Sequence, residues 1–204
     1  MNDNNSKEKK INKAIKLHLQ GNISEAKKYY ENFIKNGYKD KRIFSNYGVI
    51  LQDLGKLDQA EISYRKAIKL DPKHSNAYSN LGSILTKLGK LQEAESYTRK
   101  AIKLDPKHSN AYLNLGNIFR DLGKLKEAEI SYRKAIKLNA NNSIAHANIG
   151  LILSELGKLQ EAFDYYMKAI EIKPIPSIYH YITRFLRDSD LSQLNKLKLK
   201  NILN

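Results

Sequence analysis

The chain has 204 residues, a formal net charge of +15 at pH 7 and 41% hydrophobic residues. It contains no cysteine, which excludes disulfides and thiolate metal sites. No apolar run is long enough to span a membrane, and the opening MNDNNSKEKK lacks the apolar stretch of a secretory signal, so a soluble cytoplasmic protein is expected.

Residues 1–6 are polar and are expected to form a disordered N-terminus. From residue 7 one frame of 34 residues recurs five times, as 7–40, 41–74, 75–108, 109–142 and 143–176. The copying is literal in places: KAIKLDPKHSNAY stands at Lys66–Tyr78 and again at Lys100–Tyr112. Position 15 of each copy is glycine (Gly21, Gly55, Gly89, Gly123, Gly157) and position 20 is alanine (Ala26, Ala60, Ala94, Ala128, Ala162). Position 8 is small throughout, with Ala14 followed by Gly48, Gly82, Gly116 and Gly150.

Each copy carries two amphipathic helix patterns. In 75–108 the first places Tyr78, Leu81, Leu85 and Leu88 on one stripe, and Gly89 ends it as a left-handed cap. The second carries Leu91, Ala94, Tyr97, Ala101, Ile102 and Leu104 and stops at Asp105-Pro106. Ser75 and Ser109 are predicted N-caps, and the small residues at positions 8 and 20 are read as packing points. The first copy departs from the frame, with Lys10 at position 4 and Tyr38 at position 32, and the fourth ends Asn139-Ala140. Pairs this short are stabilised by stacking on the next pair. Beyond Pro174 and Pro176, residues 177–204 hold two more stretches, Ile178–Arg187 and Leu191–Leu203, expected to cap the last repeat. The alternative is that Leu191, Leu194, Leu197, Ile202 and Leu203 pack on something absent from this chain.

Tyr78, Leu81, Gly82, Gly89, Ala94, Ala101 and Pro106 together resemble the tetratricopeptide repeat, a 34-residue helix-turn-helix unit. The resemblance covers residues 7–176. It implies an all-α fold, a right-handed α-solenoid of tandem repeats with C-terminal capping helices, and a scaffold that binds other proteins. Such arrays are often joined to glycosyl- or methyltransferase domains. The alternative reading is therefore the substrate-recognition arm of a transferase whose catalytic part is absent here.

No catalytic signature is present: no P-loop, HExxH, GxSxG or GxGxxG. The five histidines do not assemble into a metal site, and neither a metal nor a cofactor is expected. His74 and His108 fall in turns and read as solvated; His146 replaces an aromatic at position 4 and is expected to pack. Glu61, Glu95 and Glu129 each precede an arginine by four residues (Arg65, Arg99, Arg133), the spacing of helix-stabilising ion pairs. These are structural, and the chain is read as a non-enzyme.

Two faces remain. On the second helices Arg65, Lys66 and Lys69, with their equivalents Arg99, Lys100, Lys103 and Arg133, Lys134, Lys137, form a basic ladder pointing away from the core. It reads as a solvated convex face. Binding of nucleic acid or another polyanion is the rival, disfavoured because no tyrosines interleave with these lysines to offer a stacking platform. On the first helices position 6 is always asparagine: Asn12, Asn46, Asn80, Asn114 and Asn148. Asparagine is a poor helix former, and its amide can pair with both the N–H and the C=O of an extended peptide. In the tetratricopeptide family the first helix lines a concave groove. An asparagine ladder there resembles that of O-linked N-acetylglucosamine transferase-like proteins, which implies main-chain peptide recognition. Asn117, Leu113 and Leu151, together with Ala147, are expected to add contacts. Position 5 (Ile11, Ser45, Ser79, Leu113, Ala147) lacks the lysine that a carboxylate clamp would need. The expected partner is a protein or peptide, with the oligomeric state left open.

Overall fold

The computed structural model describes residues 2–188, and all regular structure among them is helical. The chain divides into two compact units, Met1–Pro106 and Lys107–Asn204. The first holds α1 (Asn2–Leu19), α2 (Ile23–Lys35), α3 (Lys41–Asp53), α4 (Leu57–Leu70), α5 (Ser75–Lys87) and α6 (Leu91–Leu104). The second holds α7 (Ser109–Asp121), α8 (Leu125–Leu138), α9 (Ser143–Glu155), α10 (Leu159–Ile172) and α11 (Pro176–Asp188). Within each unit consecutive helices pair as hairpins, and each hairpin packs on the next. The architecture is an α-solenoid of helical hairpins.

Glycine closes each first helix. At the end of α5, Gly89 has φ +74°. Its N–H donates to the carbonyl of Thr86 at 3.0 Å, and the N–H of Lys90 donates to that of Leu85 at 2.8 Å. This is a Schellman closure, which requires the left-handed backbone that glycine adopts without strain. The second helices α4 and α6 stop as Asp71 and Asp105 turn extended, each N–H still reaching back to the alanine carbonyl of the last turn. Helix α2 ends differently. Gly37, at φ +70°, takes the place of the Asp-Pro stop, and Tyr38 folds back on Phe33 with ring centroids 5.0 Å apart.

Three expectations need correction. Helix α1 starts at Asn2, so residues 2–6 continue that helix rather than forming a separate disordered segment. Ser75 and Ser109 are the first helical residues of α5 and α7; the caps are His74 and His108, neither of which makes a side-chain capping bond. Ser109 has another use: its hydroxyl donates to the Ala135 carbonyl at 3.0 Å near the end of α8. The two histidines, expected to be solvated, are half-buried.

The core is built from the repeated small residues. The alanines at position 20 are fully buried. At position 8, a methyl on Gly48 would stand 2.7 Å from the Tyr64 ring, one on Gly116 2.5 Å from Tyr132, and one on Gly150 2.9 Å from Tyr166. The glycine is the seat of the position-24 aromatic, so the packing role read from the sequence has a specific partner. Ile11, Ala14, Ala26, Tyr30, Phe33, Ile43 and Ile50 form one cluster across α1, α2 and α3. In the second unit α11 buries Ile178, Ile182 and Phe185. Phe185 meets Phe163 and Tyr166 of α10 at centroid distances of 6.4 and 5.5 Å. The second stretch expected to cap the array, 191–203, lies outside the described residues.

Candidate functional site

Position 6 of the first helices does not present five equivalent amides. In the first unit Asn12 is exposed on α1 beside Glu8, while Asn46 and Asn80 are half-buried on α3 and α5. Asn46 bears on the phenol of Tyr30, and Asn80 on that of Tyr64. Each tyrosine is position 24 of the preceding repeat, so the amide sits where two repeats meet. Neither hydroxyl makes a well-aligned hydrogen bond. Burial pushes the Tyr30 phenol up to about 12, with the Asn46 amide pulling slightly the other way.

In the second unit the corresponding groups are hydrogen-bonded. Tyr132 Oη donates to Asn117 Oδ1 at 2.8 Å, and Asn148 Nδ2 donates to the same oxygen at 2.9 Å. Asn148 is only 6% exposed. Its amide therefore belongs to a buried network and is not displayed for a ligand, contrary to the expectation for this position. Ala147 is also buried, so it cannot contribute contact area. Asn114 and Leu113 are half-buried on α7. Leu151 is half-buried too and lines a small cavity of about 140 Å³ with Tyr166, Tyr181 and Phe185.

On the second helices the anticipated ion pairs form: Arg65 to Glu61, Arg99 to Glu95 and Arg133 to Glu129, each at 2.8 Å. The bonds between repeats were not anticipated. Arg65 also reaches Glu93 at 2.7 Å and the Tyr97 hydroxyl at 2.7 Å, and Lys90 reaches back to Glu61 at 2.9 Å. The pattern returns 68 residues later. Arg133 holds Glu161 at 2.6 Å and the Tyr165 hydroxyl at 2.9 Å, while Lys158 holds Glu129 at 3.0 Å. Burial alone would raise the Glu61 carboxyl, but the hydrogen bonds from Lys90 and Arg65 hold it below the usual carboxylate range. Arg65 and Arg133 thus act as ties between consecutive hairpins. The ladder that remains open is mainly lysine.

The tyrosines also differ from expectation. Lys66 Nζ lies 5.6 Å from the centroid of Phe44, and Lys134 Nζ 5.8 Å from that of Tyr112. Tyr78 and Tyr97 stand together with Arg99, Lys100 and Lys103 around one hollow. Aromatic rings therefore do interleave with the basic face: Phe44, Tyr78 and Tyr112 are brought there from position 4 of the first helix, and Tyr97 stands on the second helix itself. Sequence spacing along the second helix alone could not show this.

No group of three or more histidines and carboxylates among the described residues could hold a metal, and no described helix is long and apolar enough to cross a membrane.

One tetratricopeptide repeat profile matches residues 40–107 and 73–141, and a second matches residues 143–175. The chain belongs to the tetratricopeptide repeat family. No curated protein matches it by sequence. Among solved structures, a MamA protein is 27% identical with a TM-score of 0.65, over 78% of this chain and 94% of its own. The fold is shared with pilF of Pseudomonas aeruginosa (19% identity, TM-score 0.76, 90% of this chain and 84% of that one). It is also shared with YrrB, described as a TPR protein with an unusual peptide-binding site (19% identity, TM-score 0.62, 86% and 90%). Tetratricopeptide repeats are protein-interaction scaffolds, and the hairpin stack with its buried glycine–aromatic seats is the framework of one.

Proposed function

We propose that this tetratricopeptide protein is a non-catalytic scaffold that takes an extended peptide by its main chain on the first-helix face. The observation that carries the reading is the placement of Asn46 and Asn80. Both are half-buried on consecutive first helices, steadied from below by a tyrosine of the preceding repeat. A side-chain amide offers two donors and one acceptor oxygen, so contact with one phenol leaves capacity for a peptide N–H and C=O. Asn12 carries the same repeat position on α1 of the first unit; in the second unit Asn114 holds it on α7, and the oxygen of Asn117 is engaged by Tyr132 and Asn148. YrrB, with its peptide-binding site, supplies a precedent within the fold.

The energies set the scale. Each net hydrogen bond contributes about 0.5–1.5 kcal/mol, against an association cost of about 4–15 kcal/mol. Apolar contacts from residues such as Leu113 must therefore add to the amides, and affinity near micromolar, about −8 kcal/mol, is expected. The test uses peptides selected from a random display library on the intact chain. Replacing Asn46 and Asn80 together with alanine is expected to weaken their binding at least tenfold, with helix content by circular dichroism unchanged. Undiminished binding by the double variant would show that the asparagines serve packing alone.

A further inference from the structure

The third repeat departs from its neighbours at one place. Residues 95–104 read ESYTRKAIKL where 61–70 and 129–138 read EISYRKAIKL. The Ser-Tyr pair has moved one residue toward the N-terminus, isoleucine is lost, and threonine fills the gap. One residue is about 100° of helix rotation, so the tyrosine leaves the core. Tyr64 and Tyr132 are fully buried, whereas Tyr97 is half-buried and Thr98 takes the core position. The Tyr97 ring lies against Tyr78, centroids 5.9 Å apart with planes inclined at 31°, and its hydroxyl is held by Arg65.

Ser96 stands where its neighbours carry the exposed side chains of Ile62 and Ile130. The smaller residue leaves a hollow of about 420 Å³ lined by Tyr78, Ser96, Tyr97, Arg99, Lys100 and Lys103. Two aromatic rings and three cationic side chains therefore converge there. Glu95 offsets part of that charge through its 2.8 Å bond to Arg99. The fifth repeat also has a tyrosine at this position, Tyr165, but there Asp164, Met167 and Glu171 replace Ser96, Arg99 and Lys103. In the first repeat Tyr29 holds the position, but Glu31 and Asn32 stand in place of Arg99 and Lys100, so among the five second helices the combination of ring, small residue and three cations is particular to α6.

We infer that this hollow is a docking site for an acidic segment of a protein partner, one aromatic side chain of which lies on Tyr78 and Tyr97 while flanking carboxylates engage Arg99, Lys100 and Lys103. The rings favour a flat apolar occupant, the cations require negative charge around it, and a net charge of +15 draws acidic partners to the whole chain. A nucleic-acid strand fits less well. Single strands need successive stacking platforms, and the paired rings of Tyr78 and Tyr97 have no counterpart on the preceding second helix, α4, where Ser63 stands at the Tyr97 position beside the single ring of Phe44. The site is on the second-helix face and does not depend on the asparagine reading.

The test is a titration of the isotope-labelled full chain, followed by amide chemical shifts, with a heptapeptide of one tyrosine flanked on each side by three glutamates. The expected result is shifts centred on Ser96–Lys103 and affinity at least threefold tighter than for a glutamate-only heptapeptide. K100E/K103E lowers affinity at least fivefold, as does Ser96→Ile, which fills the hollow as in the neighbouring repeats without changing charge. K66E/K69E on α4 and the Asn46→Ala/Asn80→Ala pair leave it unchanged. Absence of binding, equal weakening by K66E/K69E, or tighter binding of an oligothymidine strand than of the peptide overturns the proposal.

Discussion

Val49 and Asn117 occupy the same position in their repeats, two residues past the middle of the first helix, and they treat the tyrosine beneath them differently. Asn117 accepts from the Tyr132 hydroxyl and is itself held by Asn148. Val49 offers nothing, and the Tyr64 hydroxyl is left without a well-formed bond. A buried hydroxyl in that state costs about 1–3 kcal/mol. Val49→Asn is therefore expected to raise stability by about 0.5–1.5 kcal/mol, since valine and asparagine have similar helix propensities. In a Tyr64→Phe background the gain shrinks by at least half. Chemical denaturation of the four proteins checks this, and an equal gain with and without the hydroxyl would contradict it. At Gly116 the direction reverses. A methyl there meets the Tyr132 ring at 2.5 Å, so Gly116→Ala is expected to cost about 1–3 kcal/mol through overpacking. The glycine stripe was legible from its recurrence, but its partner was not. Positions 8 and 24 lie on different helices, and only the packed hairpin brings them together. The burial of Asn148 was illegible for the same reason: Asn117 and Tyr132, which engage it, sit in the preceding repeat.

At the scale of the helix, the periodicity of apolar residues and the glycine and Asp-Pro stops placed the ends of α5 and α6 close to where they fall, at Lys87 and Leu104, because both signals are local. Ion pairs within one helix were equally legible from i, i+4 spacing. Arg65–Glu93 and Arg133–Glu161 were not, since their partners stand 28 residues apart and meet through the repeat stacking alone. Helix α11 shows what such stacking contributes. Its Ile178, Ile182 and Phe185 cover Phe163 and Tyr166, all of them nearly inaccessible to solvent. Each buried side chain of this kind stabilises by about 1.5–3 kcal/mol relative to exposure, and a solenoid end left bare has no compensating neighbour. Phe185→Ala removes the ring that touches both aromatics, a loss on the order of 3–5 kcal/mol. The expected outcome is a lower melting temperature and early loss of amide protection in α11. Retention of both would mean that α10 is covered by other means. Ending the chain before Pro176 is expected to go further and promote aggregation through the uncovered face.

Across the whole molecule, acid acts through two separate sets of groups. His18, His74 and His146 are all held below the usual histidine range, in each case first by burial. Asp53 opposes this at His18; at His74 Lys41 reinforces it and Asp71 opposes it. At His146 the Ala140 carbonyl, 2.9 Å from Nε2, favours the proton and Lys168 repels it. Nδ1 of His146 is buried with no partner, so a second proton would have no acceptor. Because the folded state resists protonation, the unfolded chain binds more protons just below about pH 6.5, its ordinary histidine value. Stability contributed by the neutral rings is thus complete above that pH and falls as pH drops through it, levelling off below the depressed folded values. The carboxyls of Glu61, Glu129, Asp40 and Asp71 are also depressed, and they act later. Their ion pairs with Arg65, Arg133, Arg42 and Lys41 persist until the pH enters the carboxylate range, near about 4, where a second loss begins. Self-repulsion of an already basic chain works in the same direction at both steps. A melting series from pH 8 to pH 3 is expected to show two declines. His146→Tyr restores the aromatic that stands at position 4 as Tyr78 and Tyr112. It should shallow the first decline and leave the second in place. A flat first region in the unaltered protein, or an unchanged slope in the variant, would remove the buried histidines from the account and leave the ion pairs as the acid-sensitive element.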